Sequence, residues 1–178
     1  GGILANSTQP YEFLMDNMLI QNNLIKAAHE LNIKKFIFLG SSCIYPKMAP
    51  QPLKEEYLLT GPLEETNQWY AIAKISGVKL IEALREQHNR DYISLMPTNL
   101  YGPGDNYDLE TSHVLPAMLR KFHEAKENNK SEVILWGTGN PKREFLHVDD
   151  LARAVVFSIE NPLSDSLYNI GTLKEVLN

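Results

Sequence analysis

The stretch Phe36-Ile37-Phe38-Leu39-Gly40-Ser41-Ser42-Cys43 sets the frame for the whole chain. Four consecutive large apolar residues, with no polar alternation, are what a strand shows when both of its faces are covered, as in a parallel sheet. Upstream, Tyr11 to Glu30 carries Phe13, Leu14, Met18, Ile20, Leu24, Ile25 and Ala28 at helical spacing, and Asn32 opens the turn into the strand. Downstream, Tyr70 to Gln87 repeats that spacing with Ile72, Ile75, Leu80, Ile81 and Leu84. Asp91 to Met96 reads as a second strand stopped by Pro97, and Val114 to Glu127 as an amphipathic helix. Val133 to Trp136 and Glu144 to Val148 read as further strands, followed by a helix, Leu151 to Ile159, capped by Asp149 or Asp150. Leu167 to Ile170 is a last short strand. Helices alternating with strands imply an α/β fold: a doubly wound parallel sheet with right-handed crossovers.

The connections carry their own signals. Pro46, Pro50, Pro52 and Pro62 exclude a continuous helix between the first strand and the helix at Tyr70. A loop of that length is usually functional. Pro97 to Gly104 reads as a turn-rich loop, and Gly137-Thr138-Gly139-Asn140-Pro141 as a hairpin turn.

Composition removes several classes of function. The 178 residues suggest one domain, or one domain and part of another. An apolar fraction of 43% supports a core, and a net charge of −5 argues against a nucleic-acid-binding surface. The single cysteine, Cys43, excludes an internal disulfide and a cysteine-rich zinc site, and no metal is expected. No apolar run approaches a membrane span and no signal-peptide pattern opens the chain, so a cytoplasmic protein without a membrane partner is expected. The start, Gly1-Gly2-Ile3-Leu4, lacks an initiator Met and reads as the interior of a longer protein.

In parallel sheets ligands bind beyond the carboxyl ends of the strands. Ser41-Ser42-Cys43 and Pro97-Thr98-Asn99 both fall at such ends. Tyr70 and Lys74, four apart, stack on one face of their helix. An ammonium beside a phenol is expected to lower its pKa, and a facing serine hydroxyl can hold a substrate oxygen that gains or loses a proton. A Tyr-x-x-x-Lys pair alone is equally an exposed helix pair; its coupling to the serines and to Pro97-Thr98-Asn99 is what points to chemistry. Cys43 reads either as a small buried apolar residue or as a reactive thiol. His113 is either solvated or part of an active-site wall with the polar, aromatic loop Asp105 to Ser112. Arg120, Lys121, Trp136 and Arg143 could together form an anion and base-stacking site for a nucleotide diphosphate, and singly are surface charges and a packing aromatic.

These segments, with Gly40-Ser-Ser-Cys-Ile-Tyr-Pro46, Met96-Pro-Thr-Asn-Leu-Tyr-Gly-Pro103, Ser112-His-Val-Leu-Pro116, Trp136-Gly-Thr-Gly139 and Arg143-Glu-Phe-Leu-His-Val-Asp-Asp150, run in order along nearly the whole chain. In this the chain resembles the extended short-chain dehydrogenase/reductases that act on nucleotide sugars. Within them it is most similar to the branch that epimerises C3 and C5 of GDP-4-keto-6-deoxy-D-mannose and reduces C4 with NADPH. The resemblance implies a Rossmann-type sheet over residues 1–100 and part of a substrate-binding domain over 101–178, with 143–160 returning to the sheet domain. It implies that Tyr70 protonates the C4 oxygen, that Lys74 lowers the pKa of Tyr70 and holds the nicotinamide ribose, and that Ser41 hydrogen-bonds the same oxygen. Cys43 and His113 would be the epimerising base and acid. Leu39, Gly40, Ser41, Ser42, Tyr70, Lys74, Pro97, Thr98, Asn99, Leu100 and His113 would line NADP(H). Lys121, Trp136 and Arg143 would face the GDP-sugar, and the parent enzyme would be a homodimer paired through the two long helices.

Two departures from that family stand out. The Gly-rich fingerprint and first strands are missing before Gly1, which removes the pyrophosphate cradle. After Asn169-Ile170-Gly171-Thr172 the substrate domain is also cut short, so the fragment alone is expected to be inactive. The alternatives are another nucleotide-sugar epimerase or dehydratase, or a non-catalytic binding relative. Ser42-Cys43 in place of the dehydratases' acidic pair disfavours that activity, simple 4-epimerases need no Cys/His pair, and a binding relative would be expected to lose Tyr70 or Lys74.

Overall fold

The computed structural model describes residues 3–109, 111–135, 137–140, 142–172 and 175–177. A short helix α1 (Ile3–Thr8) leads into α2 (Pro10–Glu30), whose proline sits in the first turn, where its missing N–H costs nothing. Strand β1 (Lys35–Leu39), helix α3 (Gln68–His88) and strand β2 (Asp91–Pro97) follow, then β3 (Asn99–Tyr101), α4 (Val114–Glu127), β4 (Lys142–His147), α5 (Val148–Glu160), β5 (Leu167–Ile170) and β6 (Glu175–Leu177). Asn32, Asn89 and Asn129, just past the ends of α2, α3 and α4, adopt left-handed backbone with φ of 54°, 52° and 49°. Asparagine tolerates that conformation better than most residues and so stops a helix cleanly.

Strands β1, β2 and β5 form a parallel sheet in that order, with Leu39 opposite Leu95 and Pro97 opposite Ile170. The central strand β2 is paired on both sides, and Tyr92 to Pro97 are all buried. β2 is thus the doubly covered, unalternating strand type, whereas β1, for which the apolar run predicted it, is only half-buried: Phe38 is in the core and Leu39 is exposed. Helices α2 and α3 pack along one another, with Ile25, Ala28, Ile75, Val78 and Ile81 meeting Phe38 and Tyr92 in one core. Buried Gln21 of α2 donates to the Ala73 carbonyl and to Ser76 Oγ (2.9 Å), fixing the rotation of α3. Any side chain at Gly77 would overlap the Phe38 ring, so glycine there lets α3 approach the sheet.

The second sheet corrects three sequence expectations. Residues Asn99 to Tyr101 are a strand rather than a loop: β3 runs parallel to β4, Asn99 opposite Phe145, and β4 pairs antiparallel with β6. Turn-forming residue types lose here to ladder pairing, and Asn99 Nδ2 adds a bond to the Glu144 carbonyl at 3.0 Å. Residues 133–135 carry no strand, and Trp136 lies outside the described residues. Neither aspartate caps α5. His147, the last residue of β4, is the cap, its Nδ1 accepting from Asp149 N–H at 3.2 Å. Asp149 and Asp150 fall in the first turn, where their charge still favours the helix amino end.

Candidate functional site

The carboxyl end of β1 delivers its residues beside the amino half of α3. Gly40 N–H continues the ladder to the Leu95 carbonyl at 2.9 Å. The chain then turns at Ser41, whose extended backbone (φ −161°, ψ 148°) opens a short 3-10 turn, Ser42–Ile44. Cys43 N–H donates to Ser41 Oγ at 3.4 Å, tying the hydroxyl and the thiol into one local unit. Across from it, Lys74 Nζ donates to the Leu39 carbonyl at 3.0 Å. The same ammonium lies 5.0 Å from the centre of the Phe38 ring and 5.5 Å from that of Tyr70. Strand end, turn and helix thus bring Ser41, Cys43, Tyr70 and Lys74 together.

Their electrostatics follow from that enclosure. Burial pushes the Cys43 thiol up, against the opposing pull of Ser41 Oγ, its own turn's N–H and the Lys74 ammonium. Burial, reinforced by Cys43, pushes the Tyr70 phenol up to about 12. Burial holds Lys74 down, partly offset by Cys43. The sequence expectation that Lys74 lowers the Tyr70 pKa is therefore not what this arrangement yields: loss of hydration outweighs a charge placed over the ring rather than at the hydroxyl. Both phenol and thiol are protonated at neutral pH; that is the form a proton donor such as Tyr70 needs, whereas Cys43 would have to give up its proton before it could act as a base.

At the end of β2, Thr98 N–H donates to the Ile170 carbonyl at 3.1 Å, and Thr98 Oγ1 is buried with no hydrogen-bond partner among the described residues. Pro97, Thr98, Asn99 and Leu100 therefore run from the carboxyl end of one sheet into the start of the other. His113 stands elsewhere. It is exposed at the amino cap of α4, and no hydrogen bond, ion pair or ring contact joins it to Tyr70, Lys74 or Cys43 among the described residues. Lys121 on α4 reaches the Ile134 carbonyl at 3.4 Å. Arg143 on β4 is exposed and donates to its neighbour's carbonyl, Lys142 O, at 2.9 Å. Trp136, expected beside them, lies outside the described residues. Arg120 pairs with Glu124 at 2.7 Å and donates to the Tyr107 carbonyl at 3.0 Å; Tyr107 lines a small pocket with Tyr101, Asp105, Leu115 and Pro116, and Arg120 does not.

Sequence reasoning missed the brace behind the site. Tyr45 Oη donates to Asn169 Oδ1 at 2.6 Å, while Asn169 N–H donates to Glu55 at 2.8 Å and Asn169 Nδ2 to the Leu53 carbonyl at 3.2 Å. The proline-rich segment is thereby fastened to β5. Partners more than a hundred residues apart leave no local signature; the buried Tyr45 next to the Ser-Ser-Cys turn was the one available hint.

Comparison with known proteins places this arrangement in context. The family model described as "NAD dependent epimerase/dehydratase family" matches residues 1–171. The chain is similar to GDP-L-fucose synthase 1 of Arabidopsis thaliana, 59% identical over 176 residues that cover 99% of this chain and 54% of that protein. It is similar in structure to MlghC, a GDP-mannoheptose C4 reductase from Campylobacter jejuni with NADP bound (TM-score 0.89, 36% identity, 99% of this chain and 62% of that one). A GDP-L-fucose synthetase from Naegleria fowleri bound to NADP also matches (TM-score 0.85, 31% identity, 97% of this chain and 56% of that one). The chain spans about half the length of the curated relatives it matches.

Proposed function

Because the chain belongs to the NAD dependent epimerase/dehydratase family, we propose that the protein carrying it converts GDP-4-keto-6-deoxy-D-mannose to GDP-L-fucose, by 3,5-epimerisation and NADPH-dependent 4-reduction. The observation that carries this reading is the convergence of Ser41, Cys43, Tyr70 and Lys74 at one strand end. The 59% identity to a GDP-L-fucose synthase supports the substrate.

The residues present fit the nicotinamide end of NADP(H). Thr98 Oγ1, buried and without a hydrogen-bond partner among the described residues, and the Lys74 ammonium at the neighbouring strand end are groups that would hold the hydroxyls of a bound ribose. Leu39 to Ser42 and Pro97 to Leu100 form the walls. The bound cofactor would supply the hydride for C4. Tyr70, protonated at neutral pH, gives its proton to the C4 oxygen, which Ser41 Oγ holds in place. Lys74 stabilises the resulting phenolate. Cys43 and His113 exchange the protons at C3 and C5, which the neighbouring ketone makes acidic. Lys121, Trp136 and Arg143 take the GDP-sugar, with cations for the diphosphate and an aromatic for the base.

We read residues 1–100 as part of the NADP-binding domain and 101–178 as part of the substrate domain, with 143–160 back on the first. A homodimer is supported by the exposed apolar stripe Tyr11, Met15, Leu19, Ile20 and Leu24 on α2 beside Ile72 and Leu80 on α3. A cytoplasmic setting accords with the lone free Cys43 and with the absence of any helix, among the described residues, long and apolar enough to cross a membrane.

A second reading, C4 reduction without epimerisation, draws on the separation of His113 from the Cys43 cluster. One experiment separates the two. The full-length protein is incubated with GDP-4-keto-6-deoxymannose and NADPH in deuterium oxide. NADPH oxidation with deuterium at C3 and C5 is expected, and Cys43→Ser should slow that exchange about a hundredfold while largely sparing reduction of a pre-epimerised sugar. Oxidation without exchange leaves only the reductase, and a folded protein that consumes no NADPH sinks both.

A further inference from the structure

Lys74 is half-buried, and its ammonium is held in an unusual way. An ammonium has three donors, and among the described residues Lys74 Nζ makes one hydrogen bond, to the Leu39 carbonyl at 3.0 Å, and no ion pair. What surrounds the rest of it is aromatic. The Phe38 ring centre is 5.0 Å away and that of Tyr70 is 5.5 Å away, both within the range at which a ring face attracts a cation. Phe38 is 6% exposed and belongs to the core, so its ring is a desolvated plate, the setting in which this attraction is strongest. The ring also has a dedicated seat. Gly77 stands one turn after Lys74 on α3, and a Cβ there would overlap the end of the Phe38 ring. Phe38 thus makes two contacts with the turn of α3 from Lys74 to Gly77: the cation over its face and the glycine against its edge.

We propose that Phe38 is a positioning residue for Lys74, fixing the ammonium between its ring face and the Leu39 carbonyl beside Tyr70, with Gly77 providing the space for the ring. A four-carbon stem with a single hydrogen bond leaves an ammonium free to swing; an immobile ring face removes that freedom at little entropic cost. The charge is then already in place when Tyr70 gives up its proton, a role that rests on the function proposed above. The titratable groups that face Lys74 are Tyr70 on its own helix and Cys43 on the 3-10 turn; β1 contributes the Leu39 carbonyl and the Phe38 ring.

The test keeps the shape of the ring and changes only its electrostatics. In the full-length protein, Phe38 is replaced by 4-fluoro-, 3,5-difluoro- and 3,4,5-trifluorophenylalanine. Lys74 is titrated by NMR with 13Cε-labelled lysine, its signal assigned through Lys74→Arg. Each fluorine weakens the negative ring face, so the Lys74 pKa should fall stepwise, by about half to one unit in total, with the melting temperature unchanged. Gly77→Ala, which displaces the ring, should lower it in the same direction. An unchanged Lys74 pKa across the fluorinated series overturns the proposal. If the enzyme proves active, the alkaline limb of its reductase pH profile should move down by the same amount. An inactive protein whose Lys74 still responds to fluorination would refute the proposed function and leave the role of Phe38 intact.

Discussion

The end of β1 with α3, on one hand, and helix α4 with strand β4, on the other, both carry cations assigned to ligands in the proposed function, and they hold them differently. Lys74 is half-buried, with a carbonyl at 3.0 Å, two rings and the half-buried Cys43 thiol around it. Lys121 and Arg143 donate to main-chain carbonyls, at 3.4 and 2.9 Å, and Arg143 is exposed. In the first region core packing has already oriented the groups, so the geometry proposed for proton transfer is inherited from packing. In the second, side chains on separate elements, one half-buried and one exposed, would be drawn together by a ligand. Proton transfer tolerates little misplacement of the donor and acceptor, whereas a diphosphate can be held by flexible charges. The difference follows the chemistry each region would perform.

The largest expected effect breaks the enclosed side. Tyr70→Phe in the full-length protein should cut NADPH-dependent reduction about 10²- to 10⁴-fold while leaving the melting temperature nearly unchanged. A loss below tenfold in a steady-state assay would remove Tyr70 from proton transfer.

The next concerns the brace behind that region. Burial, with Glu55 adding to it, pushes the Tyr45 phenol up to about 12. The unfolded phenol ionises near pH 10, so between about pH 10 and 12 the unfolded state sheds its proton first and stability falls as pH rises. For a side chain 4% exposed, that loss amounts to about 2–3 kcal/mol. Urea unfolding from pH 9 to 12 should show a markedly shallower alkaline decline in Tyr45→Phe. Equal slopes in both proteins would contradict the burial argument.

The smallest effect belongs to the open side. Lys121→Ala with Arg143→Ala should raise KM for the GDP-sugar about tenfold, leave kcat within about twofold, and shift stability by less than about 1 kcal/mol. A fall in kcat comparable to that of Tyr70→Phe would erase the contrast between the regions.

What was legible in the chain varied with the range of the forces involved. The long helices, β1, β2, β5 and α4 could all be read, because periodicity and unbroken apolar runs are local patterns tied to burial. Ser41, Cys43, Tyr70 and Lys74 could be grouped because a strand's carboxyl end and a helix face are fixed by short-range geometry. Strand β3 could not be read: its Pro-Thr-Asn-Leu-Tyr sequence favours a turn, and only β4 makes it extended. The cap of α5 was misassigned for a similar reason, since His147 takes its position from the exit of β4.

The sequence by itself therefore determined the α/β alternation, the grouping of Ser41, Cys43, Tyr70 and Lys74 at a strand end and the family the chain belongs to, because these reside in residue types and short spacings. Only the tertiary structure decided how that chemistry is tuned. The phenol rises instead of falling, the ammonium sits over a phenylalanine ring, and a tyrosine and an asparagine far apart in sequence brace the wall behind them. Burial and through-space contact set those properties, and both arise from which surfaces meet when the chain packs.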